Sequence, residues 1–312
     1  MTRAFVFPGQ GAQAIGMGRA LAETYPAAAA VFQEVDDALG EKLSTLIWDG
    51  DLQELTLTQN AQPALMATSI AALRALEAEG VSIDGARFVA GHSLGEYSAL
   101  TAAGAIALAD AARLLRIRGR AMQDAVPVGV GAMAALLGLD FDAASAVARE
   151  AAQGQVCQAA NDNDPAQVVV SGHREAVERA VEIAKARGAK RAVILPVSAP
   201  FHCALMQPAA DVMATALAEV QIAAPRVPLV ANVTAEAVTG TPDEIRARLV
   251  QQVTGVVRWR ESVLWMAGQG ITSIWEIGAG KALSGMVRRI DKQIECLAIG
   301  EPGDIAKAAG SV

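Results

Sequence analysis

A serine set between two glycines is the part of this chain best suited to covalent chemistry. Gly91-His92-Ser93-Leu94-Gly95-Glu96 has the G-x-S-x-G spacing of a nucleophile elbow. The glycines allow a turn too tight for a Cβ, which pushes the serine hydroxyl outward. The start of the following helix offers free N–H groups to a developing oxyanion. A serine is a weak nucleophile and needs a base beside it. The chain has three histidines, His92, His173 and His202. His92 is next to Ser93, but adjacent side chains diverge at so sharp a turn, so it is expected to orient the elbow. His173 begins a helix and is expected on the surface or at a helix cap. His202 lies in the loop Val197-Ser198-Ala199-Pro200-Phe201-His202-Cys203. A histidine on such a loop can reach a nucleophile at the end of a sheet, which makes His202 the preferred base. No aspartate or glutamate stands out as the group that fixes its tautomer. A backbone or amide carbonyl would suffice, whereas an ordinary lipase or esterase would carry a carboxylate there.

Two further stretches could serve the same chemistry. Phe7-Pro8-Gly9-Gln10-Gly11-Ala12-Gln13 follows a strand, and Gly9-x-Gly11-x-x-Ala14 with Glu34 loosely matches a dinucleotide fingerprint. The same residues can also make a rigid turn whose Gln10 N–H faces the serine, or only a turn at a strand end. Arg113, Arg116, Arg118 and Arg120 share one helical stretch. Most of them should be solvated or ion-paired, but one near a pocket could hold a carboxylate through two parallel hydrogen bonds.

The elements that must position these groups alternate between strand and helix. A strand at residues 4–7 precedes helical patterns at 18–40 and 62–79, then the elbow strand at 87–90. The residues after the elbow read as a helix over 97–109, followed by another over 108–123. From Pro127 the order becomes strand 131–137, helix 141–153, strands 156–160 and 167–171, helix 173–187 and strand 190–195. That β-α-β-β-α-β order is the ferredoxin-like pattern. Helices at 205–220, 242–251 and 259–269 and strands at 228–232 and 273–276 then complete the pattern. The expected fold is an α/β-hydrolase-like domain with a mostly parallel sheet (1–126 and 198–312) carrying an inserted ferredoxin-like subdomain (127–197).

Composition excludes several functions. The chain is 53% hydrophobic and 19% charged, which suits a folded α/β protein. Its net charge of −7 argues against nucleic acid as a partner. Cys157, Cys203 and Cys296 are scattered and odd in number, and the three histidines lack metal-ligand spacing. No metal site is expected, and free thiols suggest the reducing cytoplasm. No apolar run is long enough for a membrane span or a signal peptide.

Taken together, these motifs resemble the malonyl-CoA:acyl carrier protein transacylase family. The resemblance runs along nearly the whole chain. It rests on Phe7-Pro8-Gly9-Gln10-Gly11, Gly91-His92-Ser93-Leu94-Gly95-Glu96, Arg118-Gly119, Asn161-Asp162-Asn163, Gln167-Val168-Val169-Val170-Ser171-Gly172 and Phe201-His202. It ends with Gln252, seven residues before Trp259. It implies Ser93 as the acylated nucleophile and His202 as its base. It also implies the N–H groups of Gln10 and Leu94 as an oxyanion hole, and Gln252 as the source of a carbonyl for His202. Arg118 would hold the malonyl carboxylate, Met122 would line the acyl pocket, and Phe201 would crowd an α-methyl group. The implied partners are malonyl-CoA and an acidic acyl carrier protein, with no cofactor. Candidate docking charges are Arg187, Lys190, Arg191, Lys281, Arg288 and Arg289. Val256 departs from the family, which usually has proline there, and puts the local placement of Gln252 in question. Three alternatives stay open: a serine hydrolase of esters or thioesters, a related polyketide or malonate-decarboxylase acyltransferase, and a nucleotide-binding module.

Overall fold

Alternate residues of the first strand bury opposite sides of one sheet, and that fact organises the molecule. The structure is a computed structural model and describes residues 2–238 and 241–311. Its strands are β1 (Arg3–Phe7), β2 (Phe88–Gly91), β3 (Gly131–Leu137), β4 (Cys157–Asp164), β5 (Gln167–His173), β6 (Arg191–Ile194), β7 (Leu229–Val230), β8 (Ala237–Val238), β9 (Ser273–Ile277) and β10 (Glu295–Ile299). Phe5 and Phe7 of β1 enter one apolar core, and Ala4 and Val6 enter a second core on the other face. Burial on both faces is what a parallel sheet covered by helices requires. The six-stranded sheet runs β10-β9-β1-β2-β7-β8. Its pairings are parallel except for β7 with β8.

The second sheet has the order β4-β5-β3-β6, with every pairing antiparallel. With the helices Phe141–Ala152 and Arg174–Ala186 between its strands, it is a ferredoxin-like unit. Here too the side chains alternate. Ala132, Ala134 and Leu136 pack under the unit's own helices, while Met133 and Ala135 join the main core. The small sheet thus turns its back on the large domain and can wall a cleft between them. Two buried aspartates of β4 fasten the join. Asp162 binds Arg260 at 2.8 Å, and Asp164 binds Arg289 at 2.8 Å.

Several elements differ from the sequence reading. The helical pattern at 18–40 is two helices, Arg19–Thr24 and Pro26–Leu39. Pro26 starts the second one, and Tyr25 before it is extended (φ −120°, ψ 111°), as residues before proline prefer. The elbow helix spans only Gly95–Ala102, because Gly104 at φ 76° ends it before the Leu108–Asp124 helix begins. Beyond Glu276 the reading assigned nothing, yet the helices Ala282–Ile290 and Pro302–Ala309 flank β10 there. β10 is a partly exposed edge strand whose residues do not alternate between buried and exposed and whose apolar run, 296–299, is only four residues long. His173 does not cap a helix with its side chain; its Nδ1 accepts the Val156 N–H at 3.0 Å. Among the described residues, no helix is long and apolar enough to cross a membrane, and no group of three or more His, Cys, Asp or Glu could hold a metal.

Candidate active site

β2 delivers Ser93 to the C-terminal edge of the parallel sheet. A Cβ on Gly91 would lie 1.9 Å from the backbone of Gly95, and one on Gly95 would lie 2.3 Å from the Phe7 carbonyl oxygen. Glycine is therefore needed at both positions, and its absence of side chain lets the elbow press against the end of β1. Phe7 pairs in register with Gly91, so the Pro8-Gly9-Gln10 turn sits beside the serine. Ser93 itself is left-handed (φ 53°), the strained conformation of a nucleophile elbow. Its N–H donates to Asn232 Oδ1 at 2.8 Å, while Asn232 Nδ2 donates to the Gly91 carbonyl at 2.6 Å.

His202 reaches the elbow from the loop after β6. Its Nε2 lies 2.8 Å from Ser93 Oγ, and its Nδ1 donates to the main-chain carbonyl of Gln252 at 2.9 Å. A carbonyl can only accept, so the proton is on Nδ1 and Nε2 is free to accept from the serine. Burial, together with the Arg118 charge, pushes the imidazole down to about 3. It is therefore a neutral base at ordinary pH. The carbonyl that orients it is the peptide one, and the Gln252 side chain is free for other contacts. Gln252 lies inside the Pro242–Thr254 helix, so Val256 falls outside the element that places it. The backbone on either side of Val256 is fixed by Gly255 N–H to Gln251 O and Val257 N–H to Ala160 O, both 2.9 Å.

Two of the four arginines, Arg116 and Arg118, are buried, and only Arg118 reaches the serine. Arg113 is exposed against Asp110, and Arg116 reaches Glu41 and Asn60. Arg118 is only 1% exposed. Its Nη1 donates to Gln62 Oε1 at 2.8 Å, and its Nη2 donates to Gln252 Oε1 at 2.8 Å and to Ser93 Oγ at 3.2 Å. Its Nε finds no partner among the described residues. Burial lowers the guanidinium pKa. A buried cation with an unspent donor and no carboxylate in direct contact suits an anionic acyl group.

These groups open onto a cavity of about 470 Å³. Ser93, His202, Arg118, Gln10 and Leu94 form its polar part. The N–H groups of Gln10 and Leu94 donate to no acceptor among the described residues, as an oxyanion hole requires. Met122, Phe201 and Leu195 line the apolar part, and Met133 of β3 closes it from the small sheet. All eight site residues expected from the sequence thus meet at one place. His92 does not bond to Ser93: its Nε2 meets Asn163 Oδ1 of β4 at 2.9 Å. Gly9 packs against His92, where a Cβ would lie 2.6 Å from the His92 carbonyl oxygen. Two of the candidate docking charges are spent, since Arg187 pairs with Glu150 and Arg289 with Asp164. The sequence reading missed Asn232 and Gln62. The only signal for Asn232 was a polar residue just past a short apolar strand, and which strand neighbours which cannot be read along a chain.

The residues at 4–292 match the family described as acyl transferase domain. The chain is 47% identical over 306 residues to the malonyl CoA-acyl carrier protein transacylase of Bacillus subtilis (strain 168), covering 98% of this chain and 95% of that protein. The crystal structure of acyl-carrier-protein-S-malonyltransferase from Bartonella henselae superposes with a TM-score of 0.97 at 55% identity, over 100% of this chain and 99% of that one. A malonyl-transacylase in complex with a type II PKS acyl-carrier protein superposes with a TM-score of 0.97 at 42% identity, over 100% of each chain. With matches of this extent behind the geometry, the chain belongs to the malonyl-CoA:acyl carrier protein transacylase family.

Proposed function

We infer that this protein transfers a malonyl group from malonyl-CoA to the phosphopantetheine thiol of an acyl carrier protein through a malonyl-serine ester. The observation that carries the reading is Ser93 Oγ, 2.8 Å from His202 Nε2 and 3.2 Å from the buried Arg118 guanidinium. A neutral ester needs no such cation beside the nucleophile, so a carboxylate-bearing acyl group fits better than a hydrolase substrate. The related proteins named above carry the same activity in their names.

In this reading Ser93 Oγ attacks the thioester carbonyl while His202 Nε2 takes its proton. The N–H groups of Gln10 and Leu94 hold the oxyanion, and such donors are commonly worth about 2.7–4 kcal/mol each. The C–S bond then breaks, and the CoA sulfur leaves with the proton from His202. The carrier thiol next gives its proton to His202 and attacks the ester. Ser93 Oγ departs with that proton, which regenerates the enzyme and predicts ping-pong kinetics. Arg118 anchors the malonyl carboxylate throughout, and the Phe201 ring and Met122 bound the space around C2. One thioester replaces another, so both thioesters are substrates and no cofactor is required. The cytoplasm is the place of work in this reading, in keeping with three free cysteines. Residues 127–197 act as the inserted subdomain and 1–126 with 198–312 as the catalytic domain, a division supported by the small sheet starting at Gly131 and ending at Ile194.

The test is intact-mass measurement after incubation with malonyl-CoA and then with holo acyl carrier protein. A malonyl gain on the protein that moves to the carrier is the expected result. A gain that ends as free malonate with carrier present would make the protein a hydrolase.

A further inference from the structure

Glu96 is the last residue of the elbow motif, and the mechanism gives it no task. It is 0% exposed and lies in the first turn of the elbow helix. Its Oε2 accepts the Gln252 side-chain Nε2 at 2.6 Å and the Asn232 N–H at 3.3 Å, while its Oε1 has no partner among the described residues.

The consequence lies in the asymmetry of an amide. Gln252 has one accepting end and one donating end. Glu96 Oε2 accepts, so it selects the donating end. Ser93 supports that choice, since its carbonyl accepts the same Nε2 at 2.9 Å. The accepting end, Oε1, is then left to face Arg118 Nη2 at 2.8 Å. Reversing the amide would set an N–H group against a guanidinium that can only donate. The same residue offers its main-chain carbonyl to His202. Asn232 Oδ1 is a further, more distant acceptor of the same Nε2, at 3.4 Å. Gln252 thus joins the arginine, the histidine and the serine peptide, and Glu96 Oε2, at 2.6 Å, is the nearest of the acceptors that set which way it points.

We propose that Glu96 is a positioning residue for malonyl selection: its Oε2 holds the Gln252 amide in the orientation that aligns the Arg118 guanidinium. This rests on the malonyl-transfer reading above. The role is that of an acceptor. Burial pushes the carboxyl up to about 7, yet a proton can sit on the unpartnered Oε1 and leave Oε2 accepting in either state. Arg118 and Tyr97 are the other ionisable groups coupled to Glu96.

The experiment measures Ser93 acylation by malonyl-CoA and by acetyl-CoA in wild type, Glu96→Leu and Glu96→Gln, with Glu96→Ala as the second variant if Glu96→Leu does not fold. Glu96→Leu removes the acceptor and should lower the malonyl-over-acetyl ratio of kcat/KM about tenfold or more, because small misplacements of a substrate clamp are costly. Glu96→Gln keeps an accepting oxygen and should restore the ratio to within about threefold of wild type. A Glu96→Leu or Glu96→Ala protein that folds and keeps the wild-type ratio overturns the proposal. So does an equal loss with both substrates, or a Glu96→Gln ratio as low as that of Glu96→Leu. Wild type that gains no malonyl group would instead defeat the malonyl-transfer reading itself.

Discussion

Ser93 and His202 meet at 2.8 Å with both backbones in the left-handed region, at φ 53° and φ 57°. Neither is glycine, and such conformations cost of order 1–3 kcal/mol each. The fold holds the two residues there through Asn232 at the serine N–H and Gln252 at the histidine Nδ1. Strain concentrated on this hydrogen-bonded pair, with Asn232 and Gln252 bonded directly to it, is the central structural relationship in this protein.

That strain can be measured at Ser93. Ser93→Gly and Ser93→Ala both remove the hydroxyl and its contacts, so the difference between them isolates the backbone. Glycine normally destabilises relative to alanine. Here Ser93→Gly should be the more stable by about 1–2 kcal/mol, the penalty of a left-handed alanine. Urea unfolding of the two variants checks this, and neither should gain mass from malonyl-CoA. An order with alanine more stable would mean that the turn is not strained.

The pH behaviour of His202 follows from its depressed pKa. The folded imidazole stays neutral until about pH 3, whereas the unfolded one takes a proton near 6.5. Between these values the unfolded state binds more protons, so the contribution of His202 to stability is lost as pH falls from about 6.5 to 3. Activity should respond differently. The kcat/KM profile for malonyl-CoA should show no acid limb near pH 6.5. A malonyl carboxylate on Arg118 offsets the positive charge that helps to depress His202. The acid limb of kcat should therefore lie higher than that of kcat/KM. A kcat/KM limb centred on the ordinary histidine value would contradict the burial argument.

Arg118→Ala separates the anionic acyl group from a neutral one. Truncating one side of a buried charge pair commonly costs about 2–5 kcal/mol. Malonyl transfer should fall by that amount in kcat/KM, and acetyl transfer should be spared or improved. Losing Arg118 also removes a positive charge from beside His202, so the histidine should titrate closer to its ordinary range. Equal losses with both acyl groups would remove the carboxylate role of Arg118.

Carrier docking should depend on salt. Lys190, Arg191, Lys281 and Arg288 are exposed and make no ion pair among the described residues. An acidic carrier protein steered by such charges loses association rate as ionic strength rises. Transfer to carrier should fall between low and moderate salt, while Ser93 acylation by malonyl-CoA changes less. Neutralising Lys281, which borders the Gly278–Gly280 turn near Ala12, should reproduce part of that loss. A salt-independent transfer rate would leave docking to apolar contacts.

The Ser93 elbow, the candidate partner His202 and the ferredoxin-like pattern were legible along the chain for local reasons. The Gly91 and Gly95 spacing encodes a turn that only glycines can make, and residues 131–194 carry their periodicities plainly. Interruptions were harder to see. Tyr25 before Pro26 broke a helix, and β10 hid as a half-exposed edge strand. Arg118 was one of four similar arginines on one helix. Only the packing of that helix against Gln62 and Gln252 singled it out, by burying its guanidinium beside Ser93.

By itself the sequence determined the turn chemistry, the strand and helix periods and the family these motifs resemble, because each is written within a few neighbouring residues. The tertiary structure decided which polar groups complete the site. Asn232 lies 139 residues from Ser93, and Gln252 lies 156 residues from Glu96. Such partners come together only when β7 aligns beside β2 and a distant helix docks against the elbow, and hydrogen bonds over those separations leave no period in the chain.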